Sequence, residues 1–206
     1  MTESKGRERD TVATRRSILD AAENLFATKG YADTAMSQIA RQSGVTKSLI
    51  HHHFGSKAAL WEEVRGRLKS EYLGSQSNTL DNTEELPPAQ LLAQAITTYF
   101  RFLQCRPHVV RIMSWSLLDP DPAYRWLDHG LNERMAEIAK QAQAQGTVRN
   151  DIDPVCLLII TSSMVEHYFE SKAEFDELVP PEQRDKLDDV YLQNVLTVLQ
   201  HGVIAS

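Results

Sequence analysis

Apolar residues recur along this chain at the spacing of a helix, and no segment sustains the alternation of a strand. From Arg15, the set Ile18, Ala21, Ala22, Leu25 and Phe26 follows i, i+3, i+4, i+7 and i+8. It forms one helical stripe, which Lys29-Gly30 closes with a cation and a glycine. The dozen residues before it are polar and predict a mobile arm. A second helix with an inner face of Met36, Ile39 and Ala40 follows Thr34, a suitable N-cap. Thr46 caps a third helix, from Lys47 to about Phe54. Gly55-Ser56 then breaks the chain before a longer helix, from Lys57 to about Gln76, that carries Leu60, Trp61, Val64 and Leu68.

A polar loop, SQSNTLDNTEELPP, runs from Ser75 to Pro88. Beyond it the pattern predicts helices at Ala89–Gln104, Val109–Leu117, Ala123–Gln145 and Val155–Lys172, and a last one that follows PPEQ and runs to about Gly202. The turn sequence DPDP at Asp119–Pro122 separates two of them. The last helix has the cleanest stripe, and Val155–Lys172 is apolar on more than one face. Two apolar faces suit a helix that packs on its own domain and on a partner. The prediction is an all-α chain of about nine helices.

Within that pattern, Thr34–Lys57 has the punctuation of a helix-turn-helix. Ala40 lets two short helices approach, Gly44 accommodates a positive φ at the turn, and Ile50 pins the second helix to the first. The short polar helix that follows is placed to enter a major groove. A net charge of -6 opposes DNA binding until it is divided along the chain. Residues 1–72 hold 12 Lys/Arg against 9 Asp/Glu, a balance of +3, whereas residues 73–206 hold 10 against 19, a balance of -9. That asymmetry fits an N-terminal module facing phosphate and a C-terminal module with another task.

Other chemistry is sparse. Cys105 and Cys156 fall in apolar helical stretches outside any CxxC, which predicts buried thiols in a reducing compartment. The charged N-terminus lacks the apolar core of a secretory signal, and the longest apolar run, Val155–Ile160, is too short to span a bilayer. The expectation is a soluble, cytoplasmic protein. His51, His52 and His53 are consecutive on a helix and point about 100° apart, so they cannot converge on one metal ion. There is no GxSxG, HExxH or glycine-rich phosphate loop, and Asp188-Asp189 beside Lys186 reads as solvated charge. Neither enzymatic activity nor a cofactor is expected.

The segment ILDAAENLFATKGYADTAMSQIARQSGVTKSLIHHHFGSKAALWEEV resembles the DNA-binding domain of the tetracycline-repressor (TetR) family. The AAxxLF, KGY, IAxxxGV and FGSKAALW elements stand in register over about residues 15–65. The resemblance implies an N-terminal arm and three-helix helix-turn-helix domain over residues 1–56, a connecting helix over 57–76, and a ligand-binding and dimerisation domain over 77–206. Carried over by position, Lys47, Ser48, Leu49 and His52 would meet base edges or sugar-phosphate, Thr46 and Lys57 would hold phosphates, and Ser37 is similarly placed. Where the family usually has tyrosine, this chain has His51. A histidine facing phosphate there would make operator affinity rise as pH falls from about 7.5 towards 6.

In the second half, the resemblance implies a ligand cavity and dimerisation through the last two helices. Aromatic and methionine residues there more often fill a core than line a pocket. The candidates to face a cavity are Phe100, Met113, Trp115, Trp126, Met164 and Tyr168, with the polar groups His108, Glu166 and His167. Leu158, Ser162 and Val165 on one helix, and Leu187, Val190, Tyr191, Asn194, Val195 and Val198 on the last, are the expected dimer face. The expected function is a homodimeric transcriptional regulator, a repressor released from a palindromic double-stranded operator by a small-molecule effector. Two alternatives stand beside it. One is a DNA-binding regulator with a filled C-terminal core that responds to a protein partner or to no ligand. The other is a helical binding protein or enzyme whose N-terminal domain has lost DNA binding.

Overall fold

A computed structural model of the protein describes residues 3–82, 86–117 and 128–202. Its order is α1 (Glu3–Asp33), α2 (Met36–Ser43), α3 (Lys47–Phe54), α4 (Lys57–Asn82), α5 (Pro88–Gln104), α6 (Pro107–Leu117), α7 (His129–Ala144), α8 (Pro154–Glu170), α9 (Lys172–Glu177) and α10 (Arg184–Gly202). A 3₁₀ turn at Pro181–Gln183 precedes α10, and no strand occurs among the described residues. The chain divides into two compact units, residues 1–70 with 111–125, and residues 71–110 with 126–206.

Several boundaries differ from the sequence pattern. Helix α1 begins at Glu3, well before Arg15; the segment lacks proline and is rich in helix-forming Arg and Glu. Thr34 does not cap α2. It is buried, and its hydroxyl donates to the carbonyls of Gly30 at 2.8 Å and Leu25 at 3.2 Å. Ala35 takes the cap position instead, its N–H satisfied by Gln38 Oε1 at 3.0 Å. The polar stretch after Ser75 continues α4 for two turns. There Thr79 bonds the Ser75 carbonyl and the Thr98 hydroxyl, both at 2.9 Å, and Leu80 is buried. The additional helix is α9, set off from α8 where Ser171 leaves helical geometry. The Asp119–Pro122 turn and the start of the Ala123–Gln145 helix lie outside the described residues, and α7 starts where Asp128 accepts from the Leu131 N–H at 3.1 Å. Both cysteines are exposed, not buried: Cys105 stands at the C-terminal cap of α5, and Cys156 lies on the outward side of α8 with exposed Val155 and Ile160.

In the first unit, the α1 stripe packs with Met36, Ile39 and Ala40 of α2, Ile50 and Phe54 of α3, and Leu60, Trp61, Val64 and Leu68 of α4. Phe26 meets Trp61 edge-on with ring centroids 5.0 Å apart. Arg67 of α4 donates to Asp20 at 2.6 Å and to Glu23, and Arg15 of α1 donates to Glu63. Arg111 closes the unit by donating from Nε to the Ala27 carbonyl at 2.6 Å. In the second unit, Leu80, Leu91, Leu92 and Ala95 pack on Ile138, Ala139, Ala142 and Leu157. A second cluster stacks Phe100, Tyr168 and Tyr191, the two tyrosine rings lying 4.0 Å apart between centroids.

Gly30 interrupts α1 with φ 79 and ψ 170, and a Cβ there would come within 2.9 Å of the Trp115 ring. Gly44 has φ 71 and ψ 20 with open space around it. Gly30→Ala is therefore expected to cost roughly 2–4 kcal/mol, since it combines a glycine-only conformation with a clash. Gly44→Ala should cost only about 1 kcal/mol, because the left-handed region is strained but not forbidden. Urea unfolding of the two variants measures the difference; equal costs would mean that Trp115 does not lie against Gly30.

Candidate functional site

The α2–α3 turn follows from one residue. In the left-handed conformation, Gly44 turns its N–H onto the Ala40 carbonyl, and the Val45 N–H donates there at 3.1 Å. Thr46 is extended, and its Oγ1 accepts from the Leu49 N–H at 3.2 Å, which leaves its hydroxyl proton for an outside acceptor. Ile50 and Phe54 point into the unit, and the Arg15 guanidinium lies 4.5 Å over the Phe54 ring. The opposite side of α3 is left to solvent. Lys47, Ser48, His51 and His52 are exposed, Leu49 is half-buried, and Ser37 is exposed on α2.

Two of these side chains have partners within the chain. Lys57 donates to the Ala32 carbonyl at 3.1 Å and lies 4.4 Å over the Tyr31 ring, tying the start of α4 to the end of α1. Burial lowers its pKa, with Asp33 opposing that shift. His51 Nδ1 lies 2.8 Å from the Gly55 carbonyl. A carbonyl only accepts, so Nδ1 holds the proton and the neutral ring has a bare Nε2. Only the imidazolium can donate from Nε2 to an anion. Among the described residues, no group of three or more His, Cys, Asp or Glu side chains could hold a metal ion.

The second unit contains a cavity of about 610 Å³. Its lining is mostly apolar or small, with Ala95, Ile96, Met135, Ala136, Leu158 and Ser162. A polar group formed by Tyr72, Gln76 and Tyr99 interrupts it. A neighbouring cavity of about 360 Å³ shares Ile96, Met135, Leu158 and Thr161 and extends to Leu92, Leu196 and Leu199. Burial raises the pKa of Tyr72 and of Tyr99, and the nearby Glu166 adds to both shifts. Tyr99 Oη donates to Glu166 Oε1 at 2.6 Å.

None of the pocket candidates among the described residues lines either cavity. Phe100 and Tyr168 fill the aromatic cluster, and Met113 and Trp115 belong to the first unit, with Trp115 against Gly30. Met164 offers its carbonyl to the Tyr191 hydroxyl at 2.8 Å, and Glu166 stands behind Tyr99. His167 is exposed and meets Phe175 edge-on, His108 is half-buried on α6, and Trp126 lies outside the described residues. Large side chains occupy space; a cavity opens where the facing residues are small. Sequence reasoning misses Gln76 because the pattern ends α4 there, although a glutamine among apolar helical neighbours is a signal in itself.

The expected dimer face also changes. Val165 and Val195 are buried inside the protomer, Leu158 and Ser162 line the larger cavity, and Tyr191 stacks on Tyr168. Val190, Asn194 and Val198 of α10 are exposed, and Leu187 is half-buried. On α8 the exposed apolar residues are Val155, Ile159 and Ile160, which the sequence reading omits. Helical pitch turns residues 157, 161 and 165 fully inward, while Val155 and Ile159 border the larger cavity together with Leu158 and Ser162.

Two family models match the chain. Residues 18–64 match the bacterial regulatory proteins of the tetR family, and residues 91–191 match the tetracyclin repressor-like C-terminal domain. The chain belongs to the tetR family. It is a DNA-binding transcriptional regulator of the helix-turn-helix type. It is 29% identical over 201 residues to the A-factor receptor protein of Streptomyces griseus, covering 94% of this chain and 67% of that protein. It is 24% identical over 203 residues to the regulator RutR of Escherichia coli, covering 96% and 93%. Among solved structures, a transcriptional regulator from Streptomyces coelicolor superposes with a TM-score of 0.73 at 23% identity, covering 92% of this chain and 98% of that one. The ketosteroid transcriptional regulator of Mycobacterium tuberculosis gives 0.71 at 18% identity, covering 93% and 95%. No described helix of this tetR-family protein is long and apolar enough to cross a membrane.

The contrast between cavity and core has a direct test. Ala136 lines the cavity and Phe100 is fully buried. Ala136→Leu is expected to leave stability unchanged or raise it by about 0.5–2 kcal/mol, because new apolar volume enters empty space. Phe100→Ala should lower it by about 3–5 kcal/mol. Thermal melts of both variants decide the matter: an Ala136→Leu variant that melts well below wild type would mean the cavity is filled.

Proposed function

We propose that this regulator is a homodimeric repressor that leaves a palindromic operator when a small molecule occupies the cavity of its second unit. The observation that carries the reading is the division of α3. Ile50 and Phe54 anchor it inward, while Lys47, Ser48, His51 and His52 are presented outward behind the Gly44 turn. A helix held this way offers hydroxyls and cations to phosphate and a few side chains to base edges. Ser37, Thr46, Leu49 and Lys57 flank it on the same module, Lys57 with two of its three ammonium donors still available beyond Ala32.

Exposed Ile159 and Ile160 on α8, with Val190 and Val198 on α10, support dimerisation through these helices. A volume of about 610 Å³ suits an effector of ordinary metabolite size and weighs against a filled core. The cavity also draws Tyr72 and Gln76 from α4, the helix that continues from the first unit. Occupancy that shifts this stretch would favour a conformer mismatched to the operator, and a differential affinity of a few kcal/mol suffices.

Selection of operators from random duplexes with purified protein, followed by a metabolite screen for release of the selected duplex, tests the whole reading. Absence of any selected sequence would overturn it. On that duplex, Lys47→Ala is expected to lower the slope of log affinity against log salt by about 1, as loss of one phosphate contact requires. His51→Phe is expected to weaken operator binding roughly three- to tenfold, because the exposed imidazole offers a polar ring nitrogen that phenyl lacks. Unchanged affinity in that variant would remove His51 from the interface.

A further inference from the structure

The polar group in the larger cavity leaves one buried acceptor unserved. Gln76 Nε2 donates to the Ala95 carbonyl at 3.1 Å, and the Gln76 side chain also hydrogen-bonds the Tyr72 phenol. Because a carbonyl needs a donor, the orientation of the amide is fixed with nitrogen towards Ala95. Gln76 is 3% exposed, and its Oε1 is sealed from solvent with no hydrogen-bond partner. A buried acceptor left in that state costs about 1–3 kcal/mol. Glu166 stands behind Tyr99 and takes that hydroxyl proton through one oxygen.

We propose that this cavity takes an apolar ligand whose polar end donates hydrogen bonds, an amine or an alcohol, and that it discriminates against a carboxylate of the same size. The inference rests on the reading of the cavity as the effector site. A donor on the ligand satisfies Gln76 Oε1, whereas a carboxylate there would set acceptor against acceptor and anion near Glu166. A site built around an unmet hydrogen bond rejects analogues that cannot make it more strongly than an apolar wall rejects a missing methylene. Burial pushes the Glu166 carboxyl above the usual carboxylate range; the Tyr99 bond opposes that shift, and Glu170 adds to it. An ammonium nearby would relieve that charge. The Tyr72 and Tyr99 rings, 5.1 Å apart between centroids and inclined at 50°, supply aromatic faces for the same cation. Lys140, the lysine of the lining, offers a carboxylate little, since it is exposed and 4.0 Å from Glu137.

Calorimetric titration of the full chain with n-octylamine, n-octanol and octanoate separates the possibilities while holding the apolar tail constant. The amine and the alcohol are expected to bind about tenfold more tightly than octanoate. Glu166→Gln, which keeps an acceptor for Tyr99, should weaken octylamine about tenfold and leave octanol unchanged if the preferred head is cationic. If the neutral donor suffices, octanol matches octylamine and Glu166→Gln alters neither. Gln76→Leu should weaken both donors while leaving octanoate unaffected, with melting curves confirming that the variant folds. Octanoate binding as tightly as the donors, or donors indifferent to both substitutions, would overturn the head-group assignment alone. Failure of all three probes to bind would overturn the effector reading beneath it, and this inference with it.

Discussion

Arg67 is the side chain around which the first unit is organised. It reaches from α4 to two carboxylates of α1, Asp20 and Glu23, that lie 47 and 44 residues earlier in the chain. Burial works against its charge, and the bonds from Glu23 and Asp20 outweigh that effect. A half-buried ion pair is a modest source of net stability, but a guanidinium bonded to two carboxylates constrains the relative placement of its partners. Apolar packing of Leu25, Phe26, Trp61 and Leu68 would allow some sliding between the helices; a fork bonded to two carboxylates allows far less. The short helices α2 and α3, too brief to be stable alone, inherit their position from that frame.

Most of the first unit was legible in the sequence because its constraints are local. The left-handed turn needs glycine at position 44, the cap needs an oxygen at Thr46, and the inward side of α3 needs Ile50 and Phe54. The first two requirements are met within five residues of the atoms they serve, and the third shows as an i, i+4 apolar pair. Thr34 was misjudged for a different reason. Its hydroxyl bonds backward, to the carbonyls of Gly30 and Leu25, and not forward into α2, a choice set by the bend at Gly30 that the residue types around position 34 do not reveal.

In the second unit the stripes identified the helices but not what faces the space between them. Leu158 and Ser162 lie on apolar or small positions of α8 that suit an interface, a core or a cavity equally well, and the sequence does not distinguish these. The aromatics drew attention because they are large, yet Phe100, Tyr168 and Tyr191 stack on one another and close their space completely. The cavity depends on Ala95, Ala136 and Ser162, whose side chains leave room. Its polar side depends on Tyr72 and Gln76, where the apolar stripe of α4 gives out and the pattern no longer says which way a side chain faces.

Helix α4 runs without interruption from Lys57 to Asn82. At 1.5 Å of rise per residue, the stretch from Gln76 back to Lys57 is about 28 Å long. A tilt of about 5° at the Gln76 end therefore displaces the Lys57 end by roughly 2.5 Å, close to half a helical turn of rise. Hydrogen bonds weaken steeply beyond a few tenths of an ångström, so a displacement of that size exceeds what a side chain at a base edge tolerates. On the proposed function, a ligand would not need to push a helix far, because the length of α4 multiplies a small angular change.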